Sequence, residues 1–398
     1  MHNRIIAVVD PLKGGHHEAF LELFCKAFLE MGFEVWVFSP MNTGSLLKNE
    51  RLKASHANGL IKFEFYEDNL KTTKSFGRAS RALDTLQKWR HLNRSIKAME
   101  ATSNTKVGLV YFAWLDSYLN NYLPGFFVDA FFSYRWSGLY FHPRHMRLEV
   151  QPQKASFSSV DGVLLARNCV NVAVHDPAIC DNYKIRLGGK AVYDLPELSD
   201  NSKPTENHPV AVDIGKRAGG RTVVGMIGLA PHQGLQLFCN LAVACPSDEF
   251  FFAFIGSDPT DTLGAEKSDW LKVRYSDREN CFFHLRALQE GPEYNAVFNA
   301  MDIIWLVYPN FTSTSNRLTK AAYFRKPVLA SGGFILGELV EKFGLGITLD
   351  DQNLENAVAA LTLLSKDQLL EREADYEGYL ALNSYRRFVE QLTLSTTR

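Results

Sequence analysis

The run Ile5–Val9 is apolar at every position, and the chain leaves it through the glycine-bearing stretch DPLKGGHH, residues 10–17. An unbroken apolar run this short fits a strand buried on both faces of a parallel sheet. Phe20, Leu23, Phe24, Ala27, Phe28 and Met31 then recur at helical spacing, Gly32 stops the helix, and FEVWVFSP (33–40) is the next strand. Strand, helix and strand in this order predict a parallel pair joined by a right-handed crossover.

Residues 45–105 are polar and mixed, and their pattern predicts helices with Leu83, Leu86, Trp89 and Leu92 on one face. VGLVYFA (107–113), FVDAFFSYRWSGLYF (127–141), DGVLLA (161–166), NVAVHD (171–176) and KAVYDLPELSD (190–200) predict further strands. The polar stretch 201–221, with its Pro and Gly, reads as a linker. The rhythm then restarts: TVVGMIG (222–228) as strand, LAPHQG as loop, LQLFCNLAVAC as helix and FFAFIGSD (251–258) as strand. CFFHLRAL (281–288), DIIWLVYP (302–309) and GLGITLD (344–350) are later strands, and residues 353–365 and those after 372 read as helix. Two similar halves of alternating strand and helix predict an α/β protein with two Rossmann-like domains facing a cleft. The expected divisions are 1–203, 204–372 and a last helix, 373–398, returning to the first domain.

Length agrees, because 398 residues exceed one ordinary core. The net charge of -1 gives no global basic field for nucleic acid. The six cysteines form no CxxC pair and no zinc spacing, so buried free thiols in a reducing compartment are expected, with no metal site. The first apolar run is too short for a signal peptide, and no run has the length of a membrane span. A cytoplasmic protein is expected.

The stretch TSTSNRLTKAAYFRKPVLASGG, 312–333, carries the most chemistry. Ser313, Thr314, Ser315 and Asn316 have N-cap character, and a helix is predicted from Asn316 to Phe324, ended by Pro327. Free N–H groups at a helix start favour an anion, and Arg317 and Lys320, three apart, share one face. Together they could hold a diphosphate at the C-terminal edge of a parallel sheet. An ordinary capped helix with solvated cations gives the same pattern.

The order of the second half resembles the C-terminal domain of GT-B glycosyltransferases. The match is to the large retaining family (glycosyl transferases group 1) with sucrose-synthase-like and lipopolysaccharide enzymes. VVGMIGLAPHQG, FFAFIGSD, YNAVFNAMDIIWLVYP with Asp302 and Pro309, and RKPVLASGGFILGELVEKFGLGI carry the resemblance, over about 221–365. The family's two glutamates eight positions apart fall here on Thr312 and Lys320, and its first-loop Arg and Lys fall near Leu229 and Gln233. The resemblance implies a nucleotide-sugar donor, UDP- or GDP-linked, on the C-terminal domain and an acceptor on the N-terminal domain. No metal or other cofactor is required. It implies donor contacts from Gly228, His232, Ser313, Ser315, Asn316, Arg317, Lys320 and Glu338. Retention of anomeric configuration, a carbohydrate or lipid-linked acceptor and peripheral association with the inner face of a membrane belong to the same expectation. A non-catalytic binding or scaffold protein of GT-B fold is the alternative that the missing charges favour.

In the first half, Gly14 and Gly15 let the backbone approach an acceptor, and His16 is a candidate catalytic group. Asp116 could serve as base for an acceptor hydroxyl or cap a helix from Ser117. WSGLYFHPR offers His142 and Arg144 to an acceptor, with Trp136 and Tyr140 as aromatic faces or core residues. His175 and Asp176 could face a cleft, or Asp176 could cap a helix at Pro177; Glu338 could bond donor hydroxyls or only complement a helix start.

Overall fold

The computed structural model describes residues 5–13, 17–40, 43–67, 78–148, 155, 159–350, 352–366 and 374–396. The chain divides into two compact units, Met1–Leu195 with Arg386–Arg398, and Pro196–Tyr385.

The first unit is built on five parallel strands: β1 (Ile5–Val9), β2 (Glu34–Ser39), β3 (Ile61–Phe65), β4 (Val107–Phe112) and β5 (Trp136–Gly138). Their order is β3-β2-β1-β4-β5. Single bridges from Trp136 to Cys169 and from Leu139 to Ala173 carry the sheet on to the parallel pair β6 (Asn171–Val174) and β7 (Ala191–Asp194). β1 is buried at every position because helices cover both faces of the sheet, as its apolar run predicted. Trp89, on the helix Arg78–Ser103, fills the core between Phe112, Tyr118, Phe132 and Trp136. The last helix closes the unit: Phe388 packs on Phe24 and Ser395 O accepts from Asn171 Nδ2 at 2.6 Å.

Four details differ from the pattern. Residues 61–65, expected within a helical stretch, form an edge strand; Ile61, Phe63 and Phe65 alternate with Lys62 and Glu64, a period of two hidden in a polar region. Gly125–Phe131 is a helix, and only Trp136–Gly138 of the expected strand 127–141 pairs. Gly125 permits this, since a Cβ there would lie 2.3 Å from Ala166 N. Val160–Leu165 is a 3-10 turn organised around buried Asp161, which accepts from Tyr183 Oη at 2.6 Å and pairs with Arg186 Nε and His145 Nε2. Burial alone would raise this carboxyl, but His145, Tyr183 and Arg186 hold it below its ordinary range. Leu83 does not join Leu86, Trp89 and Leu92 in the core; it faces solvent.

The second unit has six parallel strands: β8 (Thr222–Ile227), β9 (Phe250–Ile255), β10 (Cys281–His284), β11 (Ile303–Leu306), β12 (Val328–Ser331) and β13 (Gly346–Leu349). Their order is β10-β9-β8-β11-β12-β13. Numbered within the unit this is 3-2-1-4-5-6, the dinucleotide-binding order. The stretch 201–221, expected as linker, contains the helix Pro209–Ala218, with Gly219 left-handed at φ 59° after it. Ile214 and Ala218 pack into the core of this unit. Val210, Ile214 and Ala218 repeat every four residues, so the Pro and Gly punctuate a helix instead of marking a loop. The helix Asn316–Tyr323 and strand Val328–Ser331 stand where the pattern predicted them. The terminal helical region breaks at Asn383 and Ser384 between Tyr376–Leu382 and Tyr385–Thr396.

Candidate functional site

In an open parallel sheet, ligands bind at the carboxyl ends of the strands where the order reverses. In the second unit that point lies between β8 and β11. Gly228 follows β8 with φ +87°, and a Cβ on it would lie 2.3 Å from the Gln233 side-chain amide and 2.7 Å from Arg317 Nη2. Only glycine admits this approach. Arg317, in the first turn of Asn316–Tyr323, donates from Nη1 to Tyr308 Oη at 2.9 Å. Gln233 bridges the two, its amide nitrogen donating to Gly228 O at 2.5 Å and its oxygen accepting from Arg317 Nη1 at 3.3 Å. Burial opposes the guanidinium charge, but the hydroxyls of Tyr308 and Tyr294 more than offset this and hold its pKa above the usual value. Arg317 is a permanent, pre-aimed cation at the switch point.

The surrounding loops are tightly seated. Gly234 has φ +75°, and a Cβ there would lie 2.2 Å from Val307 O; Trp305 Nε1 donates to Gln233 O at 3.0 Å. The 3-10 turn Pro231–Gln233 presents His232 to solvent. Ser315 is the N-cap residue of Asn316–Tyr323, but its hydroxyl makes no capping bond. Ser313, Ser315 and Asn316 are half-buried around that helix start. Thr314 Oγ1 bonds Glu197 Oε2, and Thr319 Oγ1 donates to Glu197 O at 2.8 Å, which anchors loop and helix. Thr312 Oγ1 is buried and finds no partner among the described residues. Glu338 is exposed in the first turn of Ile335–Phe343, just after β12.

Lys320 differs from the expectation. It is 0% exposed, and its ammonium donates to Asp200 O at 2.7 Å and Asn295 Oδ1 at 2.5 Å, beside Glu290 Oε2 at 3.1 Å. Lys320 Nζ also lies 5.0 Å from the centre of the Tyr294 ring. Arg317 and Lys320 thus share a helix side, but only Arg317 reaches the loop after β8; the interior acceptors saturate Lys320.

The first sheet reverses between β1 and β4, and a second constellation sits there. Asp10 ends β1, is 1% exposed, and holds His17 Nδ1 at 3.1 Å. Burial pushes this carboxyl up, and His17 pulls it partly back. The His17 ring meets Trp114 edge-on at 4.5 Å, and Trp114 stacks on Phe141 at 3.9 Å. Asp116 accepts from Phe141 N at 2.8 Å, His142 N at 3.1 Å and His142 Nδ1 at 2.9 Å, so it fixes the loop that carries His142. Two aspartate-held imidazoles therefore flank an aromatic pair. Arg144 is exposed on the same loop. Trp136 and Tyr140 are core residues. His175 Nδ1 bonds Leu195 O at 2.8 Å; Asp176 caps Ala178 N at 3.0 Å and pairs with Arg147. Gly14, Gly15 and His16 lie outside the described residues.

Gln233, Tyr308, Tyr294, Asp10, His17 and Trp114 were missed by pattern reading. Their signal was position: most directly follow an apolar strand, or lie one loop away. Gly228→Ala is expected to destabilise the protein by about 1 kcal/mol, from the left-handed backbone alone. It should also displace Arg317; denaturant melts and nucleotide calorimetry check both effects.

Among solved structures, several align with nearly the whole chain. Sucrose-phosphate synthase from Thermosynechococcus elongatus matches at 16% identity, with 98% of each chain covered and a TM-score of 0.66. HepE from Anabaena, in complex with UDP and glucose, matches at 15% identity, covering 98% of this chain and 99% of that one, with a TM-score of 0.63. The UDP-forming trehalose-phosphate synthase from Burkholderia vietnamiensis matches at 12% identity, covering 100% and 98%, with a TM-score of 0.62. The chain has the GT-B fold. No family model and no curated protein matches the sequence. The GT-B likeness spans both units, so it extends to the first unit, where the sequence resemblance was thin.

Proposed function

We propose that the protein is a glycosyltransferase that moves a sugar from a UDP- or GDP-linked donor to an acceptor hydroxyl. The donor diphosphate binds on the second unit, against Gly228, Arg317 and the start of Asn316–Tyr323. Ser313, Ser315 and Asn316 line that approach, and His232 and Glu338 contact the sugar or nucleotide from the neighbouring loops. The observation that carries this is Arg317, held by Tyr308 and Gln233 over a glycine at the sheet's switch point. A cation already aimed at the developing negative charge stabilises the leaving diphosphate with little reorganisation.

On the first unit, His17 and His142 flank Trp114 and Phe141, and this is the acceptor side of the proposal, with Arg144 at its rim. Asp116 acts by orienting His142, because its oxygens are already committed to that loop. Retention of configuration follows from the resemblance of residues 221–365. The burial of Lys320 and the loss of the acidic pair at Thr312 and Lys320 favour a second reading, a binding protein without turnover.

Calorimetry and turnover separate the two. UDP or GDP at about a hundred times its Kd is expected to stabilise the protein by about 2.7 kcal/mol. With a panel of nucleotide sugars, slow hydrolysis or transfer supports the enzyme. Binding without any release of nucleotide diphosphate supports the second reading, and absence of binding to either nucleotide overturns both.

A further inference from the structure

The loop that joins β11 to the helix Asn316–Tyr323 closes on itself at Arg317. Tyr308 Oη accepts from Arg317 Nη1 at 2.9 Å, and Tyr308 O accepts from Ser331 Oγ at 2.7 Å, at the end of β12. The two ends of residues 308–317 therefore meet at the guanidinium. Between them Asn310 is left-handed, with φ 53°, and the Phe311 ring meets Tyr308 edge-on at 5.1 Å.

Thr312 is the exception within this loop. Residues 309–311 and 313–317 are exposed or half-buried, whereas Thr312 is only 8% exposed. Its Oγ1 is cut off from solvent and finds no hydrogen-bond partner among the described residues. A hydroxyl taken from water without a partner costs stability, so a native protein that keeps one needs a reason. The neighbouring hydroxyls of Thr314 and Thr319 both bond Glu197, and that of Thr312 does not. Ser315, the N-cap residue, also makes no side-chain capping bond. Two hydroxyls of one loop thus lack the local bonds that such residues ordinarily make.

We propose that Thr312 is a further donor-binding residue, whose hydroxyl gives a hydrogen bond to a phosphate oxygen of the nucleotide diphosphate beside Arg317. This rests on the reading of the second unit as the donor side. The loop's own chemistry sets the direction of the bond. Residues 308–317 include no carboxylate, and Glu197 Oε2 already accepts from Thr314 Oγ1. With Arg317 at its end, the loop attracts an anionic oxygen, and a hydroxyl can donate to one where a carboxylate would repel it. The hydroxyl that is unpaired in the free protein becomes paired in the complex, so its cost to stability returns as affinity and selectivity.

Thr312→Val, which puts a methyl in place of the hydroxyl, separates this from a structural role. In the free protein it should leave the urea midpoint unchanged or raise it, because an unpaired buried hydroxyl is removed. By calorimetry it should weaken UDP or GDP, whichever the parent binds, about tenfold, and inorganic pyrophosphate by a similar factor. Thr312→Ser, which keeps the hydroxyl, should recover most of the affinity. Unchanged affinity of Thr312→Val for any of these anions that the parent binds overturns the proposal. So does a lowered urea midpoint that Thr312→Ser restores, since the hydroxyl then has a partner inside the protein. A parent that binds pyrophosphate with this dependence on Thr312, but neither nucleotide, keeps the phosphate contact and overturns the glycosyltransferase reading. A parent that binds none of the three overturns both.

Discussion

Lys320→Ala is expected to cost the protein stability, toward the lower end of the about 3–5 kcal/mol typical of breaking a buried ionic contact. The ammonium has no exposure and three acceptors: Asp200 O, Asn295 Oδ1 and Glu290 Oε2. Removing it leaves those oxygens facing a cavity, and Glu290, which is part-exposed, regains only some of its hydration. Asn295 also bonds Asp200 Oδ2 at 2.7 Å and Ser202 O at 2.9 Å, so the segment around 200–202 should loosen with it. Lys320→Met keeps the stem but not the donors and should recover little. Urea unfolding of both variants measures the loss, and UDP calorimetry below the transition should show nearly unchanged affinity. If Lys320→Ala weakens UDP strongly with no loss of stability, the ammonium reaches ligand and the burial seen here does not describe the working state.

Arg317→Ala is expected to weaken UDP or GDP binding roughly tenfold to a hundredfold, equivalent to about 1.5–3 kcal/mol for one charge-assisted contact. The guanidinium is anchored by Tyr308 and Gln233 and lies against Gly228, so its remaining donors point to the switch point of the second sheet. Arg317→Lys should not restore affinity, because one ammonium cannot hold Tyr308 and Gln233 and still present a planar fork to phosphate. Tyr308→Phe, which removes only the hydroxyl at 2.9 Å, should weaken binding by a smaller factor. If calorimetry gives the same Kd for the parent, Arg317→Ala and Tyr308→Phe, the cluster only caps the loop after β8.

Particular elements show how far the pattern reached. β1, β8, β9 and β11 were legible because a strand covered on both faces must be apolar at every position. β3 was not, because an edge strand covered on one side keeps Lys62 and Glu64 and resembles its polar surroundings. Residues 209–218 were misread for a related reason: Pro and Gly mark helix ends and loops alike, and only the spacing of Val210, Ile214 and Ala218 separates the two. The quoted region at 312–333 was located correctly as loop, helix and strand.

The alternation of strand and helix, its restart near Thr222 and the polar loop before the helix at Asn316 are all written in the residue pattern. These follow from local periodicity and chain order. The destinations of the side chains depend on long-range packing. Arg317 and Lys320 are equivalent in sequence terms, three apart on one helix. Yet one meets a glycine 89 positions away in the chain (228 to 317), and the other meets carbonyls and a carboxylate in the interior. Likewise Asp116 looked like a helix cap and instead secures the loop of His142. Which acceptor a charged group finds depends on how the parallel strands are ordered, and strand order is a property of long-range packing that no local pattern encodes.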